Sequence, residues 1–509
     1  MISTALQDLW FGFGVALEPH NLMWCLIGAT LGNFVGVLPG LGVVSTISML
    51  LPLTFAMNPV PALLMIGGVF YGANYGGVVA SILLNLPVHP PHAVSVLDGY
   101  PLTLKGKSGT ALSIAFIAGL VGASWGITEM IFLSPVLVKV ALTFGSADVC
   151  MLMLLGLLAG STLARGSPLK GVAMVIFGLL LSTVGTDVEL GTFRFTFNDM
   201  NLIDGLDIAA IALGVFGIAE FMKSVNQVTP LSGKYFNVRL KDMFISKEDF
   251  KFALPAMFRG TLTGTLCSLI PGTGPVIASF GGYAVEKRFG KRSDQLGTGI
   301  VEGLAASESA THSAIQGDFI PTMTLGIPGD AVMALILGAI MIQDVIPGPL
   351  LIKEHPDLFW GLVASFWIGN IAIVLMNFPL MGLWVKVLSV PFRYLYPTAL
   401  FFICIGVWSA KNDMFQVKIM ILFGIFGYII WMLKFSPAPI LLGFVLGQRF
   451  EDNFRRAMLT SNGDILNFVK QPISGFFVAL CVVLIAFTIY STMQQRRRLR
   501  AAKSQTIAT

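Results

Sequence analysis

From Pro19 to Leu97 the chain contains no Asp, Glu, Lys or Arg, an uncharged run of 79 positions. Water offers no reason to omit charge over such a length, whereas a hydrocarbon layer of about 30 Å asks for about 20 apolar residues per crossing. The rest of the chain agrees: of 509 residues 55% are hydrophobic and 12% charged, against about 25% charged in soluble domains. A soluble globular protein is excluded, and an all-α polytopic (multi-pass) membrane protein in a lipid bilayer is predicted.

The formal charge of +5 does not imply nucleic acid as a partner, because the basic residues cluster at the ends of apolar segments. Cys25, Cys150, Cys267, Cys404 and Cys481 each stand singly in apolar stretches and are expected to be packing residues; no metal spacing is present. The N-terminus lacks a basic region followed by a short apolar core and a small-residue cleavage site, so no cleaved signal is expected.

Segments suited to spanning lipid lie at about 108–128, 147–164, 168–186, 205–222, 358–385, 394–410, 416–433 and 471–491. A polar interval from 223 to 259 carries Lys223, Lys234, Arg239, Lys241, Lys247, Lys251 and Arg259 and is predicted to be a cytoplasmic linker between two transmembrane repeats, 1–222 and 260–509, the second carrying additional C-terminal spans.

Two regions do not read as simple spans. Residues 21–57 are interrupted by Leu38-Pro39-Gly40-Leu41-Gly42, and residues 260–285 by Ile270-Pro271-Gly272-Thr273-Gly274. Proline with paired glycines breaks a membrane helix into halves. An offset of 232 residues pairs Gly32 with Gly264, Pro39 with Pro271, Gly40 with Gly272, Gly42 with Gly274 and Val44 with Val276. Each break is followed by another, Asn85-Leu86-Pro87 within about 61–104 and Gly326-Ile327-Pro328 within about 297–346. The repeated order points to internal duplication.

Charge gives the orientation. Arg259 precedes the second Pro-Gly segment and Lys287, Arg288, Lys291 and Arg292 follow it, so both flanks belong inside and the segment reads as a re-entrant hairpin. The first has no basic flank, as an inverted copy approaching from outside would show. With this topology 17 Lys and Arg fall inside before residue 394, and Lys139, Arg194 and Lys353 fall outside. Near the C-terminus Arg449, Arg455 and Arg456 compete with the Arg496-Arg497-Arg498 tail for the inside; the tail is placed there. The predicted fold is two inverted structural repeats, each with a re-entrant helical hairpin and a broken transmembrane helix.

Inverted repeats with helix breaks at membrane depth mark secondary-transporter binding sites. The bland alternatives are Gly/Pro-kinked helices without a ligand and, for the Gly32, Gly36, Gly40 series, close helix packing. Without basic residues at 19–97 and 260–285, an anion would be held by backbone N–H groups and by polar side chains. Candidates are Asn33, Ser45, Thr46 and Asn85 with Pro39, Gly40, Gly42 and Pro87, and Thr265, Thr273, Ser279 and Thr324 with Pro271, Gly272, Gly274, Gly326 and Pro328. Co-bound cations at unwound carbonyls would balance the charge, which points to a symporter. Glu308 and His312 stand at i, i+4 in EGLAASESATH, with Thr311 beside them, and Asp330 follows Pro328-Gly329; these are proton or cation ligand candidates. His89-Pro-Pro-His92 has no third metal ligand. The glycine loops match neither GxGxxG nor GxxxxGK[ST], and no HExxH is present, so an enzyme is not expected.

At VGVLPGLG, YGGVVASILLNLP, LDGYPLTLKGKSGTAL, LIPGTGP, EGLAASESA and TLGIPGDAVMALILGAIMIQDVIPGPLL the chain resembles, over nearly its whole length, the large membrane subunit of the tripartite tricarboxylate transporters, the TctA family. The resemblance implies a bacterial inner-membrane symporter that imports citrate-like or other small carboxylates on a gradient of Na+ or H+. It also implies a small membrane subunit and a periplasmic solute-binding protein as partners, and no other cofactor. The Pro39-Gly40, Pro271-Gly272, Asn85-Leu86-Pro87 and Gly326-Ile327-Pro328 motifs match the family. Val88-His89 stands where it usually has Gly, Ser307 where it has Pro before Glu308, Thr311-His312 where it has Asn-Asn, and Asp330 where it has Ser. A channel-like or structural membrane partner without coupled transport is the alternative.

Overall fold

The computed structural model describes residues 2–38, 42–54, 56–162, 168–187, 189–225, 240–269, 274–343, 345–387, 397, 400–401, 403–405, 407–408, 413–486 and 488–489. These are almost entirely helical, with one two-residue antiparallel ribbon pairing Gly185–Thr186 with Phe193–Arg194. Among them four helices are long and apolar enough to cross a membrane: Pro59–Leu84, Ser108–Ala141, Pro356–Val387 and Met414–Met432. The chain is an all-α polytopic membrane protein.

The chain divides into two compact units, Met1–Ala141 with Ala209–Tyr428, and Leu142–Ile208 with Ile429–Thr509. Each draws on both sides of the central linker. The first unit begins with α1 (Ile2–Ala16), α2 (Pro19–Val37), α3 (Val43–Thr54), α4 (Pro59–Leu84), α5 (His92–Leu104) and α6 (Ser108–Ala141). The second contains α7 (Ser146–Thr162) and α8 (Pro168–Ser182), and the first resumes at α9 (Ile208–Ala212), a π-helical turn (Leu213–Ile218) and α10 (Ala219–Val225). There follow α11 (Lys247–Ser268), α12 (Gly274–Phe289), α13 (Val301–Gly317), α14 (Phe319–Leu325), α15 (Ala331–Ile342), α16 (Leu351–Glu354), α17 (Pro356–Val387) and α18 (Met414–Met432). In the second unit α19 (Ala438–Thr460) packs on α7 and α8.

Helix boundaries differ from the sequence expectation where a local signal overrides hydropathy. α11 starts at Lys247 rather than near 260, because Ser246 accepts the Asp249 N–H at 3.0 Å and Glu248 and Asp249 face the positive end of the helix. The last part of the basic linker is therefore helical. α6 runs 34 residues, beyond the expected 108–128, carrying Pro135 in its interior. The expected span at 205–222 contains the π turn, and that at 394–410 falls largely outside the described residues.

Small residues set the closest helix contacts. Gly28, Gly32 and Gly36 of α2 lie against the backbone of Met65, Val69 and Ala73 of α4, and Gly68, Gly72 and Gly76 of α4 return against Cys25, Ala29 and Asn33. An added Cβ at any of these would collide with main-chain atoms. Packing is thus what Gly32 and Gly36 do. The motif recurs: Gly260 and Gly264 of α11 lie against Ala306 and Ala310 of α13. Gly28 and Gly32 stand 232 residues before Gly260 and Gly264, the offset of the Pro-Gly breaks.

The outward faces are apolar. α17 exposes Ile371, Leu375 and Leu383, and α18 exposes Ile421, Leu422, Ile425 and Ile429, as contact with lipid requires. α4 is the opposite, every residue from Pro61 to Leu83 being buried in protein.

Candidate functional site

Both Pro-Gly interruptions separate helices, α2 from α3 and α11 from α12. Pro39, Gly40, Pro271, Gly272 and Thr273 lie outside the described residues. Gly274, buried and at φ +57, opens α12, and Asp330 lies beside it.

The second pair of breaks is described in full. α4 stops at Asn85, in the left-handed conformation (φ 59, ψ 31), and α14 stops at Gly326, likewise left-handed (φ 70, ψ 26). Asparagine and glycine are the residues that tolerate this geometry. The carbonyl after each stop is met by a hydroxyl one turn back: Ser81 donates to Leu86 O at 3.3 Å, and Thr322 donates to Ile327 O at 3.4 Å. Each hydroxyl also lies against the carbonyl four residues before it, Gly77 at 2.9 Å and Asp318 at 2.6 Å. Ser81, Asn85, Leu86 and Pro87 relate to Thr322, Gly326, Ile327 and Pro328 by one offset of 241. Compared with the offset of 232 for the Pro-Gly interruptions, nine additional residues precede the broken helix in the second half, and they fall over the end of α12 and its connection to α13.

That longer connection is clamped by the first half. Asp98 of α5 accepts the backbone N–H groups of Gly297, Gly299 and Ile300 at 2.9, 2.8 and 3.1 Å, together with the Tyr283 hydroxyl at 2.9 Å. Asp98 is fully buried and sits at the N-terminus of α13, where free N–H groups favour an anion. Two residues of the expected cytoplasmic basic flank are also paired: Arg259 binds Glu286 through two bonds of 2.8 and 2.9 Å, and Arg292 binds Glu302 at 2.5 and 2.6 Å.

Beside this clamp lies a buried polar cluster. Glu308 on α13 has Oε1 3.3 Å from His92 Nδ1 and hydrogen-bonded by the Ser95 hydroxyl, while His312 Nε2 stands 3.9 Å from Oε2. Tyr75 of α4 lies over the His312 ring with centroids 4.2 Å apart, and His89 lies 5.7 Å from His92. Two glycines make the space. A Cβ on Gly77 would come within 2.6 Å of the His89 ring and 3.0 Å of the His92 ring, and one on Gly119 of α6 within 2.9 Å of both His312 and Tyr75. Ser279 of α12 donates to Pro91 O at 2.7 Å, joining the second hairpin to the first break.

The other expected residues divide into two kinds. Thr46, Thr311 and Thr324 return their hydroxyls to their own helices, at Gly42 O, Ser307 O and Ile320 O. Asn33 donates to Asn377 of α17 at 2.9 Å, Ser45 donates to Phe216 O of the π turn at 3.1 Å, and Thr265 faces Ser313 at 3.3 Å. Asn85 and Pro87 are exposed whereas Gly326 and Pro328 are buried. Asp330 caps α15 by accepting the Met333 N–H at 2.8 Å; Asp318, whose two oxygens are buried without a hydrogen-bond partner, approaches it across Gly329.

Sequence reasoning paired Glu308 with His312 and missed His92, Ser95, Tyr75, Asp98 and Asp318. The signal for His92 was present in His89-Pro-Pro-His92, weighed only as a metal clip. For Tyr75 and Asp98 no local signal exists, because their partners are remote in sequence.

Residues 22–442 match the family described as "Tripartite tricarboxylate transporter TctA family". An Agrobacterium vitis protein described as "Uncharacterized 52.8 kDa protein in TAR-I ttuC' 3'region" is 42% identical over 493 residues, 97% of this chain and 98% of its own length. A second from that organism, "Uncharacterized protein in TAR-II ttuC' 3'region", is 45% identical over 234 residues, 46% of this chain and 97% of its own length. No solved structure matches.

Proposed function

Because the chain belongs to the TctA family of tripartite tricarboxylate transporters, we propose that it is the large membrane subunit of a binding-protein-dependent secondary transporter that imports tricarboxylates or related carboxylates by symport with Na+ or H+. It would act in a bacterial inner membrane with a small membrane subunit and a periplasmic solute-binding protein. The observation that carries this reading is the recurrence of one broken-helix design: left-handed stops at Asn85 and Gly326, and the same hydroxyl bond from Ser81 and Thr322. Two such helices, each after a Pro-Gly interrupted helix pair, support an inverted duplication with the substrate held between hairpin tips and breaks.

The charge distribution supports an anion held by backbone dipoles. Among the described residues no Lys or Arg is within ion-pair distance of Glu308, and Arg259 and Arg292 are committed to carboxylates. Accompanying cations would then offset the substrate charge. Alternating access would move one part of each repeat past the rest, with the paired breaks opening to either side.

The test is uptake of radiolabelled di- and tricarboxylates into proteoliposomes containing this chain, its small subunit and the cognate binding protein. The expected result is accumulation above the outside concentration that needs all three components and a cation gradient. Equilibration without accumulation under every gradient would instead establish the channel-like alternative.

A further inference from the structure

We propose that the cluster around Glu308 is a proton site that couples transport to the pH gradient; this rests on the transporter reading above. The chain has five histidines, His20, His89, His92, His312 and His355. Two of them meet one carboxylate, His92 from the start of α5 and His312 from the middle of α13, and His89 at the first break lies 5.7 Å from the His92 ring with its Nε2 on Ala73 O. All three are buried, as are Glu308 and Tyr75.

The balance of charge gives the argument its direction. α4 faces Glu308 and His312 with Tyr75, the first break contributes His89, α5 contributes His92 and Ser95, and α13 adds Ser307. α6 presents Gly119 and Phe116, α11 meets α13 with Gly260 and Gly264, and α12 contributes Ser279 to the neighbouring Pro91 carbonyl. Among the described residues the ion-pair partners of Glu308 are therefore two imidazoles alone. A carboxylate with neutral imidazoles would leave one uncompensated charge in a buried site, which is strongly unfavourable. One proton, on Glu308 or on an imidazole beside it, removes it.

A sodium ion fits these donors poorly. Hard cations are held by several oxygens, in membrane transporters by unwound carbonyls and half-helix C-termini. Here the free carboxylate oxygen, Glu308 Oε2, faces an imidazole nitrogen. Tyr75 Oη, His92 Nε2, both His312 nitrogens and Glu308 Oε2 are buried without a hydrogen-bond partner. Such unspent donors and acceptors suit a group that changes protonation state during its cycle.

The position supplies the coupling. His92 is the first residue of α5, directly behind the exposed break at Asn85 to Pro87, whereas Glu308 belongs to the helix that leads to the other break. A proton shared between them ties one broken helix to the other, and its release loosens that tie. Ser279 extends the connection to α12 through Pro91. The protonation state thus sets how firmly the two breaks are held together.

The experiment uses proteoliposomes with the complete three-component transporter and an accepted carboxylate, imposing a pH gradient in Na+-free buffer and a Na+ gradient at equal pH separately. The expected result is accumulation on the inside-alkaline pH gradient in the absence of Na+. Glu308→Gln is expected to lower pH-driven accumulation at least tenfold. His92→Asn and His312→Asn are expected to displace the pH profile of uptake, a readout that remains if Glu308→Gln does not fold. Accumulation on Na+ alone, or histidine variants with the wild-type pH profile, would overturn the proton assignment while leaving the transporter reading standing. Carboxylate flux that no gradient drives uphill would remove both.

Discussion

The hydroxyl of Tyr283 donates to Asp98 at 2.9 Å, although the residues stand 185 positions apart, and the same carboxylate receives three main-chain N–H groups at the start of α13. Asp98→Ala leaves those N–H groups buried and unpaired and is expected to cost roughly 3 kcal/mol or more. Thermal unfolding of the purified protein in detergent should show a fall in midpoint. Tyr283→Phe, which removes one bond of the four, should show a clearly smaller one.

The reciprocal glycine contacts make a second prediction. Gly32→Ala and Gly264→Ala each place a methyl group against backbone, which cannot change rotamer, so each is expected to destabilise by about 1–3 kcal/mol. Gly14 and Gly382 have open space at the same position, and alanine there should be neutral or mildly stabilising. Yield of monodisperse protein and its unfolding midpoint separate the two classes; equal effects would show that close approach of α2 to α4 and α11 to α13 does not limit stability.

At the broken helices the left-handed stops can be probed by shape. Asn85→Gly should retain full stability, whereas Asn85→Val and Gly326→Val should each lose about 1–2 kcal/mol because a β-branched side chain crowds the following carbonyl. Paired measurements of unfolding midpoint and carboxylate uptake check this. Similar losses at both positions are expected if the breaks are counterparts.

Legibility followed sequence distance. The Glu308 and His312 pair could be read from an i, i+4 spacing, and both later breaks from proline with Asn or Gly. The Pro-Gly interruptions carry the 232 offset and the Pro87 and Pro328 breaks the 241 offset, both visible in the sequence; the matching Ser81 and Thr322 bonds are visible only in the structure. His92 and Asp98 find their partners about 200 residues away, and no periodicity encodes such a meeting. Asn33 and Ser45 were legible as polar residues in an apolar segment, but their partners, Asn377 and a carbonyl of the π turn, were not.

In the second unit Arg455 donates to Asp187 at 2.9 Å and to Glu451 at 2.6 Å, and Arg194 binds Glu451 at 2.7 Å. Desolvation opposes the charge on Asp187, but Arg455 and the N–H groups of Leu190 and Glu189 outweigh it and hold its carboxyl below the usual range. A depressed carboxylate contributes stability that is present above its unfolded value, about 3.9, and is lost as pH falls through the lower folded value. The midpoint should therefore drop on acidification below pH 4. Arg455→Gln should flatten part of that drop, as measured by unfolding at pH 3 and pH 6.

The complete enclosure of α4 bears on how the protein is made. A helix that ends surrounded by protein must first leave the translocon into lipid, carrying Tyr71, Asn74, Tyr75 and Ser81 with it. Asn74 donates to Phe70 O at 2.8 Å and Ser81 to Gly77 O at 2.9 Å, bonds that need no other helix. Two of its four polar side chains are thus satisfied along their own turn. α4 keeps these two bonds whether or not its glycine face has closed on α2.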